Sequence, residues 1–92
     1  PYTNALPISI AASETWVIFN GNAIIITVTL PAPATNVGRE LYFKNVQPFV
    51  VNSASANVVP LAGGAASTAL LPATAGSAVT LVSDGTNWII MA

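Results

Sequence analysis

The apolar residues of this chain fall in short runs, and glycine, proline or asparagine closes each run. The run WVIF (16–19) ends at Asn20-Gly21, and the run at 23–30 ends at Pro31. Turn residues recur at roughly 8–12-residue intervals, and no stretch carries apolar residues at a helical period, so the pattern favours strands. The sequence therefore predicts an all-β fold: a small antiparallel β-sandwich or barrel-like domain of about eight short strands.

Residue alternation within these runs predicts which side chains face the core. Asn20-Gly21 is the strongest short-hairpin signal, because both residues tolerate positive φ, and it predicts a hairpin joining residues 16–19 to 23–30. Successive strand side chains point to opposite faces. The predicted inward residues are Ile24, Ile26, Val28, Leu41 and Phe43; the predicted outward residues are Ile25, Thr27, Thr29, Glu40, Tyr42 and Lys44.

Two segments of the chain are similar to each other. Each begins with Leu-Pro-Ala and continues through a short loop with a glycine into a predicted strand that ends at a turn residue: LPAPATNVGRELYFKN (30–45) and LPATAGSAVTLVSD (71–84). Stacked solenoids usually need three or more repeats. The similarity therefore predicts a duplicated strand–corner–strand unit rather than a solenoid.

The scarcity of charge indicates self-association. The 92 residues are 53% hydrophobic and 5% charged, against roughly 25% charged in an ordinary soluble domain. A chain of this length fits a single domain over residues 1–92, and its own core is small. Packing against further copies is the expected way to cover the remaining apolar surface.

Several classes of function have little support in the composition. The chain has no cysteine or histidine and a net charge of −1, so we expect no nucleic-acid partner, no metal site and no cofactor. Its apolar runs are shorter than the roughly 20 residues of a spanning helix, so no membrane insertion is expected. The acids Glu14, Glu40 and Asp84 are scattered and are interpreted as loop, strand-surface and turn residues, which predicts a protein that is not an enzyme.

The segments ITVTLP, GRELYFKN, NVVPLAGG, LPATAG and VTLVSDGTNWIIM, in that order, resemble carboxy-terminal β domains of bacteriophage tail fibres and related virion surface proteins. The resemblance covers about residues 24–92. It implies a location on the virion surface and assembly as a homotrimer, either of sandwich subunits or as an intertwined trimeric β-prism. The chain, which begins at Pro1, is expected to be a fragment or processed part of a longer virion protein.

Aromatic and amide side chains are the candidate contacts. Sugars stack on aromatic faces and bond to amides and hydroxyls. Trp16 and Trp88 lie within apolar runs and are predicted to be core residues. The candidate receptor or sugar contacts are Tyr42, Asn20, Asn22, Asn36 and Asn87; the candidate subunit interface is Trp88, Ile89, Ile90 and Met91.

Three functions fit these observations. The first is a non-enzymatic tail-fibre or spike tip module that displays loops to a host-surface glycan. The second is a capsid decoration or shell component that binds no receptor. The third is a free, lectin-like sugar-binding module. The expected partners are further copies of the chain, other virion proteins and a host-surface glycan.

Overall fold

A computed structural model describes residues 2–3, 8–20 and 25–92 and places ten strands in two sheets. Within these ranges the helical residues are confined to a single 3-10 turn, Pro33–Thr35, so the all-β prediction is confirmed. None of the described helices is long and apolar enough to cross a membrane. The strands are β1 Tyr2–Thr3, β2 Ile8–Ser9, β3 Trp16–Phe19, β4 Ile26–Thr29, β5 Glu40–Asn45, β6 Val51–Ser53, β7 Val58–Val59, β8 Ala69–Leu71, β9 Ser77–Ser83 and β10 Trp88–Ile90.

The chain alternates between the sheets and winds as a coil. Sheet A has the strand order β1-β3-β5-β9-β10-β7, and sheet B has the order β2-β4-β6-β8. Strands β1, β3 and β5 are parallel in sheet A, while β2, β4 and β6 are parallel in sheet B. Each of the first three turns of chain therefore adds one strand to each sheet.

The predicted antiparallel hairpin at Asn20-Gly21 is wrong. Strand β3 pairs with β1 and β5 in sheet A, whereas β4 pairs with β2 and β6 in sheet B. Of the eight pairings between the described strands, only β5–β9, β9–β10 and β6–β8 are antiparallel, so the prediction of an antiparallel sandwich is also wrong and both sheets are mixed. Parallel neighbours need a long crossover, and here each crossover runs through the opposite sheet. Apolar alternation is the same for both strand directions, so it does not distinguish them.

The duplicated unit is present as predicted. Residues 30–45 carry the chain from β4 in sheet B to β5 in sheet A, and residues 71–84 carry it from β8 in sheet B to β9 in sheet A. The two incoming strands lie antiparallel at the centre of sheet A, with Leu41 opposite Leu81.

The core lies between the sheets and follows the predicted alternation. Ile26 and Val28 of β4 are buried while Thr27 and Thr29 are exposed, and Leu41 and Phe43 of β5 are buried while Glu40, Tyr42 and Lys44 are exposed. Ile24 lies outside the described residues. The rings of Phe19 and Phe43 meet edge to face, with centroids 5.4 Å apart, a favoured aromatic geometry.

A buried amide closes one end of the sandwich. Asn45, at the end of β5, is fully buried, and its Nδ2 donates to the carbonyl oxygens of Phe49 at 2.7 Å and Pro72 at 3.0 Å. The backbone carbonyl of Asn45 accepts the backbone N–H of Gly76 at 2.6 Å. One buried side chain thereby connects two corners of the chain through their backbone carbonyls, and its own amide N–H groups are satisfied.

The opposite end is closed by the loop of residues 31–38. The Ser83 hydroxyl donates to the Pro33 carbonyl at 2.8 Å, and Gly38 N–H donates to the Ser83 carbonyl at 2.8 Å. The Arg39 guanidinium donates to the carbonyls of Ala11 at 2.8 Å and Glu14 at 2.6 Å. These bonds fix the β2–β3 connection against the start of β5 and the β4–β5 connection against the end of β9.

Candidate functional site

The outer face of sheet A carries a group of side chains that we call the outer patch: Trp16, Ile18, Tyr42, Lys44, Ala78 and Thr80. Strand register sets them in two rows. Trp16 is opposite Tyr42, and Tyr42 is opposite Thr80. In the second row, Ile18 is opposite Lys44, and Lys44 is opposite Ala78. Neighbouring strands lie about 4.8 Å apart, so each row is a continuous surface.

Two adjacent aromatic rings and two small residues shape the outer patch. Trp16 is 50% exposed and Tyr42 is 42% exposed. Ala78 and Thr80 are short, and the patch lines a depression of about 440 Å³. An apolar depression with a few polar groups is the usual form of a small-ligand site. The arrangement is suited to stacking and hydrogen bonding.

The prediction that Trp16 is a core residue is wrong, because Val17 and Phe19 are the buried residues of β3. Strand β3 consists of four apolar residues, so its sequence does not show which side faces solvent. The neighbouring strand β5 does show it, because Glu40, Tyr42 and Lys44 face outward. Only the pairing of β3 with β5 places Trp16 beside Tyr42.

The hydroxyl of Tyr42 has a partner within its own strand. It donates to Oε1 of Glu40 at 2.6 Å. This hydrogen bond, together with the negative charge of Glu40, raises the pKa of Tyr42 above its ordinary value of 10.0. Tyr42 therefore stays neutral and its ring orientation is restrained, while one Glu40 oxygen is occupied.

The predicted sugar contacts do not converge. Asn20 is exposed directly after β3, at the Ile18 end of the outer patch, and Asn22 lies outside the described residues. Asn36 and Asn87 lie beyond Ser83, the opposite end of sheet A from Asn20. The Asn36 side chain bonds within its own loop, to the Ala32 carbonyl at 2.8 Å and to Arg39 at 3.2 Å. Tyr42 and Asn20 are thus the predicted contacts nearest the depression.

The terminal strand divides into inner and outer residues, as its alternation predicts. Trp88 is fully buried in the chain's own core, so its side chain has no surface to offer a second copy, and that part of the predicted interface is wrong. Ile90 is half-buried against the same core. Ile89 is opposite Val82 on β9, and Met91 is 57% exposed. Ile89, Ile90 and Met91 stay predicted interface residues.

The three carboxylates each serve a local turn or strand. Glu14 accepts the N–H of Ala11 at 2.6 Å, and Glu40 accepts the Tyr42 hydroxyl. Asp84 accepts the N–H groups of Thr86 at 2.9 Å and Asn87 at 2.8 Å. Across the ranges that the structure describes, no three acidic side chains group together as metal ligands.

Asp84 makes the β9–β10 turn sensitive to acid. The two backbone N–H groups of Asn87 and Thr86 hold the pKa of its carboxyl below the ordinary 3.8. The charged carboxylate thus stabilises the fold above the unfolded-state pKa, and this contribution is lost as pH falls through the folded-state pKa. We expect the urea midpoint to drop between about pH 5 and about pH 2.5 by more in the wild type than in Asp84→Asn. Equal drops in both proteins would contradict this role.

Comparison of the chain with protein-family models, with curated proteins and with solved structures found no match in any of the three.

Proposed function

We propose that this chain is a non-enzymatic virion structural protein, a tail-fibre or spike tip module that attaches to a host-surface glycan through the outer patch. The site is the depression beside Trp16 and Tyr42. The proposal moves the contact surface from the asparagine-bearing loops to a sheet face. A free lectin-like module would use the same surface.

The observation that carries this proposal is the side-by-side exposure of Trp16 and Tyr42. Large aromatic side chains left half exposed on a sheet face are unusual unless they contact something, because their burial is favourable. A pyranose ring has one face of C–H groups, which packs on an aromatic face, and a rim of hydroxyls. The Thr80 hydroxyl lies in the same row and supplies a polar partner.

The virion setting is supported by the resemblance of residues 24–92 and by the composition. A chain with 5% charged residues and β-strands in place of long loops is suited to a stiff exterior particle. Homotrimeric assembly would present three copies of the outer patch together. Weak individual sugar contacts then add through multivalency, because later contacts form at a high effective concentration.

A capsid decoration or shell component is the second candidate, and the charges beside Tyr42 favour it. Glu40 and Lys44 flank Tyr42 on the same outward face of β5. If a second copy lay face to face with its strands reversed, each Glu40 would oppose a Lys44 of the other copy, as a two-fold interface requires. In that protein the outer patch would be buried between copies rather than open to a glycan.

Glycan-array binding of Trp16→Ala tests the proposal, with native mass measured by light scattering. The matched control is Leu61→Ala, which removes a side chain that is 67% exposed outside the patch. We expect Trp16→Ala to weaken glycan binding about twofold to tenfold, since stacking contributes about 0.5–1.5 kcal/mol, and Leu61→Ala to leave binding unchanged. Equal binding by both variants would contradict the proposal. Loss of oligomers in Trp16→Ala, without glycan binding by the wild type, would support the shell component.

A further inference from the structure

The outer patch contains a positive charge that none of the described residues neutralises. Lys44 is exposed at the middle of the second row, between Ile18 and Ala78. Within residues 8–20 and 25–92, no carboxylate or other polar atom bonds to its ammonium group. Among the described residues that line the depression, Lys44 has the one charged side chain. The lining side chains therefore carry a single positive charge, although the chain has a net charge of −1.

The remaining charges are committed elsewhere. Arg39 uses its guanidinium on the carbonyls of Ala11 and Glu14 and on the Asn36 side chain, so it serves the fold. Glu40 lies on the far side of Tyr42 from Lys44 and accepts the Tyr42 hydroxyl. Among the residues that the structure describes, Lys44 is thus the one cation without a partner, and it lies beside two aromatic rings.

From this arrangement we infer that the outer patch selects acidic sugars, with the carboxylate of a uronic-acid-type pyranose on Lys44 and its C–H face on Trp16 and Tyr42. The inference rests on the proposed glycan-binding function and adds the class of sugar. Trp16 and Lys44 are diagonal neighbours across adjacent parallel strands, because Trp16 is opposite Tyr42 and Lys44 is two residues further along. That offset is about 8 Å between Cα atoms, a span that one sugar ring with its carboxylate bridges.

Thr80 completes the polar side of the depression. Its hydroxyl has no hydrogen bond to any of the described residues, and it lies on the opposite side of Tyr42 from Trp16. A hydroxyl both donates and accepts, so Thr80 is able to pair with a ring hydroxyl while Lys44 holds the carboxylate. Three kinds of contact, namely stacking, charge and hydrogen bonding, then fix the orientation of one acidic ring.

The test compares acidic polysaccharides with the same polymers after carboxyl reduction. The probes are hyaluronan, alginate and polygalacturonate, each beside its carboxyl-reduced form, which keeps the ring and removes the charge. The proteins are the wild type, Lys44→Gln, Lys44→Arg and Leu61→Glu. Leu61 is exposed outside the outer patch, and Leu61→Glu makes the protein more negative by one charge, as Lys44→Gln does, but leaves Lys44 in place, so it controls for the overall charge of the protein.

We expect the wild type to bind at least one acidic polymer about threefold to tenfold more tightly than its reduced form at low salt, because an exposed ion pair is modest and screened. Lys44→Gln should bind both forms equally, while Lys44→Arg and Leu61→Glu should keep the preference. Raising the salt concentration should reduce the wild-type preference.

Each other outcome overturns a defined part of the argument. If the wild type binds acidic and reduced forms equally, and Trp16→Ala weakens both, the acidic inference fails while glycan binding stands. If Lys44→Gln keeps the preference, Lys44 is not the selecting residue. If the wild type binds neither form of any probe, the acidic inference fails; if it also binds no neutral glycan on the array, the proposed function fails as well.

Discussion

Trp88→Ala should strongly destabilise this protein. Among the described residues, Trp88 has the largest fully buried side chain, and its Nε1 donates to the Pro31 carbonyl at 2.9 Å. Truncating a buried tryptophan typically costs about 3–5 kcal/mol, against a total stability of about 5–15 kcal/mol for a typical protein. The measurement is urea unfolding followed by far-ultraviolet circular dichroism, because removing Trp88 also removes most of the fluorescence signal from the core.

Trp88→Phe is the matched control for this prediction. Phenylalanine keeps an aromatic ring in the core but removes the N–H donor and part of the volume, so the Pro31 carbonyl loses its partner. We expect a loss of about 1–3 kcal/mol, smaller than that of Trp88→Ala. A Trp88→Ala protein within about 1 kcal/mol of the wild type would show that the terminal strand does not close the core.

Phe43→Ala should lower the free energy of unfolding by about 3–5 kcal/mol, whereas Tyr42→Ala should change it by less than about 1 kcal/mol. The two residues are neighbours on β5. Phe43 is buried and packs edge to face on Phe19, and Tyr42 lies on the outer face of sheet A. Both variants remove an aromatic side chain from the same strand. The comparison therefore measures how much more the core face of β5 contributes to stability than its outer face does.

Urea midpoints at pH 7 measure this difference in stability. Glycan binding is measured on the same variants, and there the larger effect is expected from Tyr42→Ala. Tyr42→Ala should weaken binding with little loss of stability. Similar stability losses in both variants would mean that the outer face of sheet A is buried in the folded assembly. That result would favour the shell component over the glycan-binding module.

Local chemistry made several features predictable. Strict alternation in residues 40–44 predicted the buried and exposed faces of β5, because adjacent strand side chains necessarily point to opposite sides. Asp84-Gly85 predicted the β9–β10 turn, where Gly85 has φ of 95° and the Asp84 carboxylate accepts backbone N–H groups. Tyr42 was predicted to be an exposed aromatic because charged residues flank it.

The pairing of strands was not predictable in the same way. Asn20-Gly21 has hairpin chemistry, yet β3 and β4 enter different sheets. A turn signal acts over a few residues, whereas the partner of a strand depends on which distant segments exclude water together. Parallel and antiparallel neighbours need the same alternation of apolar and polar residues. The sequence pattern of β1 to β6 therefore does not distinguish a coil of parallel strands from a series of hairpins.

The sequence by itself determined the all-β class, the faces of the polar-marked strands and the turn at Asp84-Gly85, because those depend on contacts between near neighbours in the chain. Only the tertiary structure decided that Trp16 lies beside Tyr42 on the outer face of sheet A: both tryptophans were predicted to be core residues, and of the two Trp88 alone is buried. The position of Trp16 depends on the register between strands more than 20 residues apart in the chain. An all-apolar strand such as 16–19 carries no local sign of its outer side, so its neighbours decide which residues it exposes.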